Sequence, residues 1–170
     1  PSKIATGVFA ENLLEKYPLI PVEEEGRLND LDIRENFIES VFARARLTHL
    51  LSNKPKPKDL ILFHAKHKYS LMARSPKYLK ELGQIVASCR VETMSQCLVS
   101  YEEIFMKAFK LQAQRKSHLN VLLHLVGYFK KIPKVQTKLV HEAINGFSNG
   151  FLPLTVPLKL ISFLAKTTES

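Results

Sequence analysis

Leu60–Ser75 reads LILFHAKHKYSLMARS and Arg115–Lys131 reads RKSHLNVLLHLVGYFKK. Both stretches repeat apolar residues at helical spacing and set histidine and basic residues among them. At ~100° per residue, His64 and His67 fall on the same stripe as Leu60 and Leu71, with Lys68 at its edge. That stripe should face a core. Histidine or lysine beside buried leucine is costly unless a ligand, an anion, a partner or internal hydrogen bonds offset it.

The second stretch divides into an apolar arc of Val121, Leu122, Leu125, Val126 and Phe129 and a polar arc of Asn120, His124, Gly127, Tyr128 and Lys131. Glycine costs a helix interior ~1 kcal/mol against alanine, so Gly127 implies close approach of another helix or a ligand.

Outward from these two stretches the helical period continues, punctuated by proline and glycine. A first helix is expected over about Thr6–Tyr17, stopped by Pro18. The segment PLIPVEEEGRLND follows, too broken and too acidic for regular structure, and reads as a solvated linker or a wrapping arm. Asn29 or Asp30 can cap a long helix over Leu31–Leu51, whose apolar stripe reads Ile33, Phe37, Ile38, Val41 and Phe42. Pro57 suits the first position of the His64 helix, and Ser75-Pro76 a cap and first position for Pro76–Ser88. Further helices are expected at Glu92–Leu111, Ser117–Lys131, Pro133–Asn149 with Gly150 as terminator, and Thr155–Lys166. The fold class is all-α, a single compact bundle of about six to eight short helices with an extended acidic N-terminal arm. Residues 1–30 are expected to hold the N-terminal helix and acidic linker, and residues 31–170 the helical domain.

The 170 residues are 45% hydrophobic, enough for one domain with a real core. No run reaches the ~18–20 apolar residues of a membrane span, and no signal pattern opens the chain, so a cytoplasmic location is the default expectation. The chain begins with Pro1 rather than Met, which fits a piece of something longer. Residues 1–51 hold 6 Lys/Arg against 9 Asp/Glu, a net −3, while residues 52–170 hold 19 against 7, a net +12. A basic body of this kind favours an anionic partner such as nucleic acid, although a lysine-rich surface is also simply soluble. Cys89 and Cys97 match neither a CxxC pair nor a zinc or iron-sulfur ligand set and read as reduced core thiols.

Three functional readings follow from the residues. Arg115, Lys116 and Ser117 stand where a loop feeds a helix, a good place for a phosphate. Arg34 and Arg44 share an arc with Phe37 and Val41, and either pair with buried carboxylates or protrude into a groove. An RNA or anion surface would then draw on Lys68, Arg74, Arg115, Lys116, Lys130 and Lys131 for phosphates, with Tyr78, Tyr128, His64, His67, His118 and His124 facing a nucleotide and Arg34 and Asn120 as further contacts. The alternative is an enzyme using His64, His67, His118 and His124 as acid-base groups or metal ligands, although no nucleophile-base-orienter set is legible. The third is a protein-interaction or dimerisation domain, for which GFLPLTVPLKLISFL is apolar enough to cover a partner.

The segments LDIRENFIESVFARARL, LILFHAKHKYSLMARSPKYLKELGQIVA, RKSHLNVLLHLVGYFKK and GFLPLTVPLKLISF, in this order, resemble the YbgA-like family, a bacterial domain of unknown function. The combination of His64-x-x-His67-Lys68, Met72-Ala73-x-Ser75 and His118-x-Asn120-Val121-Leu122-x-His124-x-x-Gly127-Tyr128-Phe129-Lys130 carries the likeness, which runs from about Asn29 to the end. The upstream ATGVFAENLLEKYPLIPVEEEGRLND is similar to the joining region of RudS-type fusions, in which a thiouracil desulfidase domain precedes a domain of this family.

The resemblance implies an all-α module that engages transfer RNA carrying 4-thiouridine. It also implies that an iron-sulfur cluster, held on three cysteines of an associated desulfidase domain in cis or in trans, removes the sulfur. Those cysteines have no counterpart here, so the chain alone is expected to hold no cofactor and no catalytic residue. Ala73-Arg74 stands where relatives often show Ala-His, which disfavours a metal or proton-transfer role at that point. The partners implied are tRNA or another RNA and the desulfidase domain, without a membrane and with an oligomer left open.

Overall fold

A computed structural model describes residues 8–129 and 133–168. Eight α-helices and one 3-10 turn account for its regular structure, with no strand among the described residues: α1 Val8–Lys16, α2 Leu31–Ser52, α3 Pro57–Arg74, α4 Pro76–Ser88, α5 Met94–Phe109, α6 Arg115–Val126, α7 Lys134–Ser148 and α8 Thr155–Thr168. The helical class and the number of helices are those expected. The hydrophobic interior, however, is divided between two compact units. One comprises the chain up to Leu71 together with Ser75–Gln112; the other comprises Met72–Arg74 and the chain from Ala113 onward.

The helix starts follow local chemistry. The Asp30 carboxylate accepts from the backbone N–H of Asp32 and Ile33 and caps α2. At α3, Pro57 occupies the first turn and the Asp59 carboxylate accepts from the Lys56 N–H at 2.8 Å. Ser75 Oγ accepts from the Tyr78 N–H, with Pro76 at the first position of α4. Each pairing satisfies a donor that a helix N-terminus leaves open.

In the first unit α5 is the central element, with α4 and α2 packed on it. Tyr101, Phe105 and Phe109, spaced by four, form one buried aromatic edge of α5. Leu47, Leu60, Phe63, Leu71 and Leu82 close around that edge. The helix α2 corrects the sequence reading. Its buried residues are Ser40, Ala43 and Leu47, whereas Ile38, Val41 and Phe42 are exposed, Phe42 to 59%. Small side chains let α2 approach α5 until Ser40 Oγ lies 2.8 Å from the Phe109 carbonyl, a contact that bulky residues at those positions would prevent.

The acidic arm is likewise more than a solvated linker. Glu25–Asn29 form a 3-10 turn packed on α2, Glu23 pairs with Arg27 at 2.8 Å, and Leu19 joins the core. A cleft of about 260 Å3 lies between the arm and the helices, lined among others by Leu19, Val22, Phe37, Ser40, Met106 and Phe109.

In the second unit α6, α7 and α8 pack mutually around Leu122, Val140, Ile144, Phe147, Ile161 and Leu164. Gly150, at φ +82°, ends α7 in the left-handed region that glycine enters without strain. Gly146 serves by its missing side chain, since a Cβ there would stand 2.6 Å from Leu152 Cδ1.

Candidate functional site

The two histidines of α3 are built into the first unit. The His67 ring is 5% exposed, lies 4.2 Å from the Phe63 ring between centroids and meets the Phe105 ring edge-on at 5.3 Å. Its Nδ1 is 2.8 Å from the Phe63 carbonyl oxygen, an atom that only accepts, so Nδ1 carries the proton. The lone pair of Nε2 therefore accepts from Arg46 Nε–H at 3.0 Å. Both nitrogens are committed, and burial holds the group below the ordinary histidine pKa. The expectation that His67 faces a nucleotide is corrected: it is a core histidine whose hydrogen bonds offset the cost of burial.

His64, one turn earlier, is half-buried, and its Nδ1 lies 3.1 Å from the Tyr101 hydroxyl. Tyr101 is fully buried, which pushes its hydroxyl pKa up, and His64 supplies the polar partner that a buried phenol needs. Burial, reinforced by His67 and Lys68, lowers the His64 pKa. Its Nε2 sits 3.8 Å from where a Cβ on Gly83 would stand.

The remaining expected residues separate by environment. Arg34 and Lys68 are exposed, with Lys68 Nζ 5.9 Å from the Tyr69 ring centroid. Arg44 is the alternative resolved in favour of pairing, since its guanidinium meets the Glu102 carboxylate. Arg74 is 8% exposed and engaged within the protein, and Tyr78 packs against the first core, so neither stands out as a surface contact. Arg115 donates from Nη1 to the Phe147 carbonyl at 2.6 Å and covers the Phe147 ring at 5.1 Å, tying the start of α6 to the last turn of α7. A cation there suits the helix C-terminus, so Arg115 has an internal task in addition to any ligand. His118 is half-buried and engaged.

What α6 and the turn after it expose is a stripe. Lys116, Asn120, His124 and Tyr128 follow at four-residue spacing and all are exposed, Tyr128 to 67%. On the opposite arc Val121 and Leu122 are buried, as the sequence predicts. Leu123, His124, Gly127 and Tyr128 line an open recess. The helix ends earlier than expected, at Val126, with Gly127 as its cap; the Tyr128 and Phe129 N–H groups then reach the carbonyls of Leu125 and Val126 in tight 3-10 fashion. Glycine's poor helical propensity thus acts as a stop and not as an interior packing point. Lys130 and Lys131, expected in the last turn of this helix, lie outside the described residues.

Among the described residues no three His, Cys, Asp or Glu side chains are grouped to hold a metal ion. Cys89 is buried, and desolvation with Cys97 beside it pushes its thiol pKa up to about 11, as suits an unreactive core thiol. Among these residues no helix is long and apolar enough to cross a membrane.

Sequence reasoning passed over two residues, Arg46 and Tyr101. On the helical wheel Arg46 flanks the true buried face of α2, next to Ala43 and Leu50, and becomes visible only once that face is assigned correctly.

Residues 68–170, more than half of the chain, match the family described as "Protein of unknown function (DUF1722)". The chain belongs to this family. It is also similar to "Uncharacterized protein YbgA" of Escherichia coli (strain K12), 25% identical over 123 residues that cover 71% of this chain and 73% of that protein. No solved structure matches. The family match includes the whole α6 stripe; Arg46, His64 and His67 precede it.

Proposed function

We propose that this chain is a non-catalytic RNA-binding module for tRNA, acting in desulfurisation of thiolated uridine whose chemistry a desulfidase domain carries in cis or in trans. The observation that carries the RNA reading is the exposed α6 stripe. Lys116 supplies a phosphate contact, Asn120 and His124 supply hydrogen-bonding groups of both kinds, and the Tyr128 ring supplies a stacking platform for an unpaired base. The net +12 of residues 52–170 adds the long-range attraction on which nucleic-acid binding relies. The link to thiolated uridine comes from the resemblance of the N-terminal segment to the joining region of desulfidase fusions.

The hydrogen bonds of His67 and His64 inside the first unit favour the RNA reading over an enzyme reading that draws on these two histidines. Binding of tRNA with and without 4-thiouridine, and release of sulfide when the chain is added to a desulfidase domain, test the proposal together. Tighter binding of the thiolated tRNA and stimulated sulfide release are expected. Equal indifference to both RNAs, with no stimulation, contradicts it.

A further inference from the structure

Arg46 is held neither by a carboxylate, as Arg27 and Arg44 are, nor by a backbone carbonyl, as Arg90 and Arg115 are. Arg27 and Arg44 each pair with a carboxylate, which neutralises the charge as it fixes the side chain. Arg46 is fixed by His67 instead. The acceptor is an uncharged nitrogen on a ring clamped by Phe63, Phe105 and its own bond to the Phe63 carbonyl. Among the described residues no carboxylate pairs with Arg46, although Glu39 is near enough to act on His67 through space and accepts from Ser70 Oγ. Lys66 acts on His67 with the opposite sign.

This arrangement has a chemical consequence. The Nε edge of the guanidinium is spent on the imidazole, and the two terminal NH2 groups, on an exposed residue, stand side by side with no carboxylate paired to them among the described residues. A planar pair of donors held in one orientation matches two oxygens of a phosphate or carboxylate, and fixing the side chain beforehand removes part of the entropy that a mobile arginine would lose on binding. A leucine or phenylalanine would fill the place of His67 among these rings. Among the described residues, the imidazole's hydrogen bond beyond its own helical turn is to Arg46.

We infer that Arg46 is a phosphoryl-oxygen contact and that His67 is its positioning residue. The inference adds a contact to the RNA reading and rests on it for the source of the phosphate. The shared chemistry is a phosphoryl group, whether in an RNA backbone or in free phosphate.

The test uses the full chain with Arg46→Ala, Arg46→Lys and His67→Phe, the last preserving an aromatic ring and the Arg46 charge while removing the acceptor. With unfractionated tRNA as probe, Arg46→Ala is expected to weaken binding about tenfold and to lower the salt slope by about 1. Arg46→Lys keeps the slope and loses affinity, and His67→Phe also loses affinity with the slope kept, which a purely structural histidine would not cause in a folded variant. In the wild type, the Arg46 Nε–H resonance gives a readout that needs no variant. It is expected to stand downfield, protected from exchange, and to shift with tRNA or with inorganic phosphate.

Failure of the two readings is distinguishable. If Arg46 and His67 variants bind tRNA like the wild type while a Tyr128→Ala variant is weakened, the inference is overturned and the RNA reading stands. If the wild type ignores tRNA but inorganic phosphate still shifts the Arg46 resonance, the contact is upheld with free phosphate as its source. A resonance indifferent to both probes overturns it.

Discussion

The Tyr101 hydroxyl and His64 Nδ1, 3.1 Å apart, make a polar join between α5 and α3 in a largely apolar and aromatic core. Removing one side of such a bond strands the other. Tyr101→Phe keeps the ring and leaves His64 half-buried without its partner, so urea denaturation should show a loss of about 1–2 kcal/mol. A variant as stable as the wild type would mean that the hydroxyl is hydrated and not bonded to His64.

Acid should weaken the first unit. Burial lowers the pKa of His64, with His67 and Lys68 adding to the effect, and burial also lowers that of His67 against the opposing Phe63 hydrogen bond. The unfolded chain, whose histidines titrate near ~6.5, then binds protons that the folded protein does not. Stability is complete above that value and is lost as pH falls from ~6.5 toward the lowered folded values. The urea midpoint is expected to drop between about pH 7.5 and about pH 5.5, and His67→Phe should flatten the drop. A midpoint that rises with acidity contradicts the assignment.

The second unit depends on the loop between α7 and α8. An added methyl at Gly146 meets Leu152 at 2.6 Å and must displace it, so Gly146→Ala should cost on the order of 1–3 kcal/mol in thermal or urea unfolding. Gly150→Ala forces φ +82° on an L side chain and should cost about 1–2 kcal/mol. Neutral results at both positions would place the loop elsewhere.

The two thiols should react unequally. Cys89 is buried with its pKa pushed up to about 11, whereas Cys97 is half-buried. Alkylation by iodoacetamide in native conditions should label Cys97 first and reach Cys89 only as the chain opens. Equal labelling rates would contradict the packing at the α4–α5 junction.

Much of this molecule is legible in its residues, and the failures have physical causes. Helix starts could be read because their signals are local: Asp30 and Ser75 each satisfy donors within a few residues, and Pro57 opens α3. The family likeness could be read because its motif fixes many side chains at once. The buried face of α2 could not, since hydrophobicity favours Ile38, Val41 and Phe42 whereas close packing on α5 selects Ser40, Ala43 and Leu47. A core role for His67 with a backbone bond is among the readings its position allows, but its partner Arg46 is not, because Arg46 lies on another helix and only the fold joins them. The α6 stripe was visible through its period; its end was not, because Gly127 is tolerable inside a helix and equally able to stop one.

The most direct test of the RNA reading is the salt dependence of tRNA affinity for the wild type and for a Lys116→Ala, His124→Ala, Tyr128→Ala variant. The wild type should bind with a steep fall between about 50 and about 200 mM salt. The variant should bind at least tenfold more weakly with the salt slope reduced by about 1. A variant indistinguishable from the wild type, or a wild type whose binding ignores salt, would contradict the account.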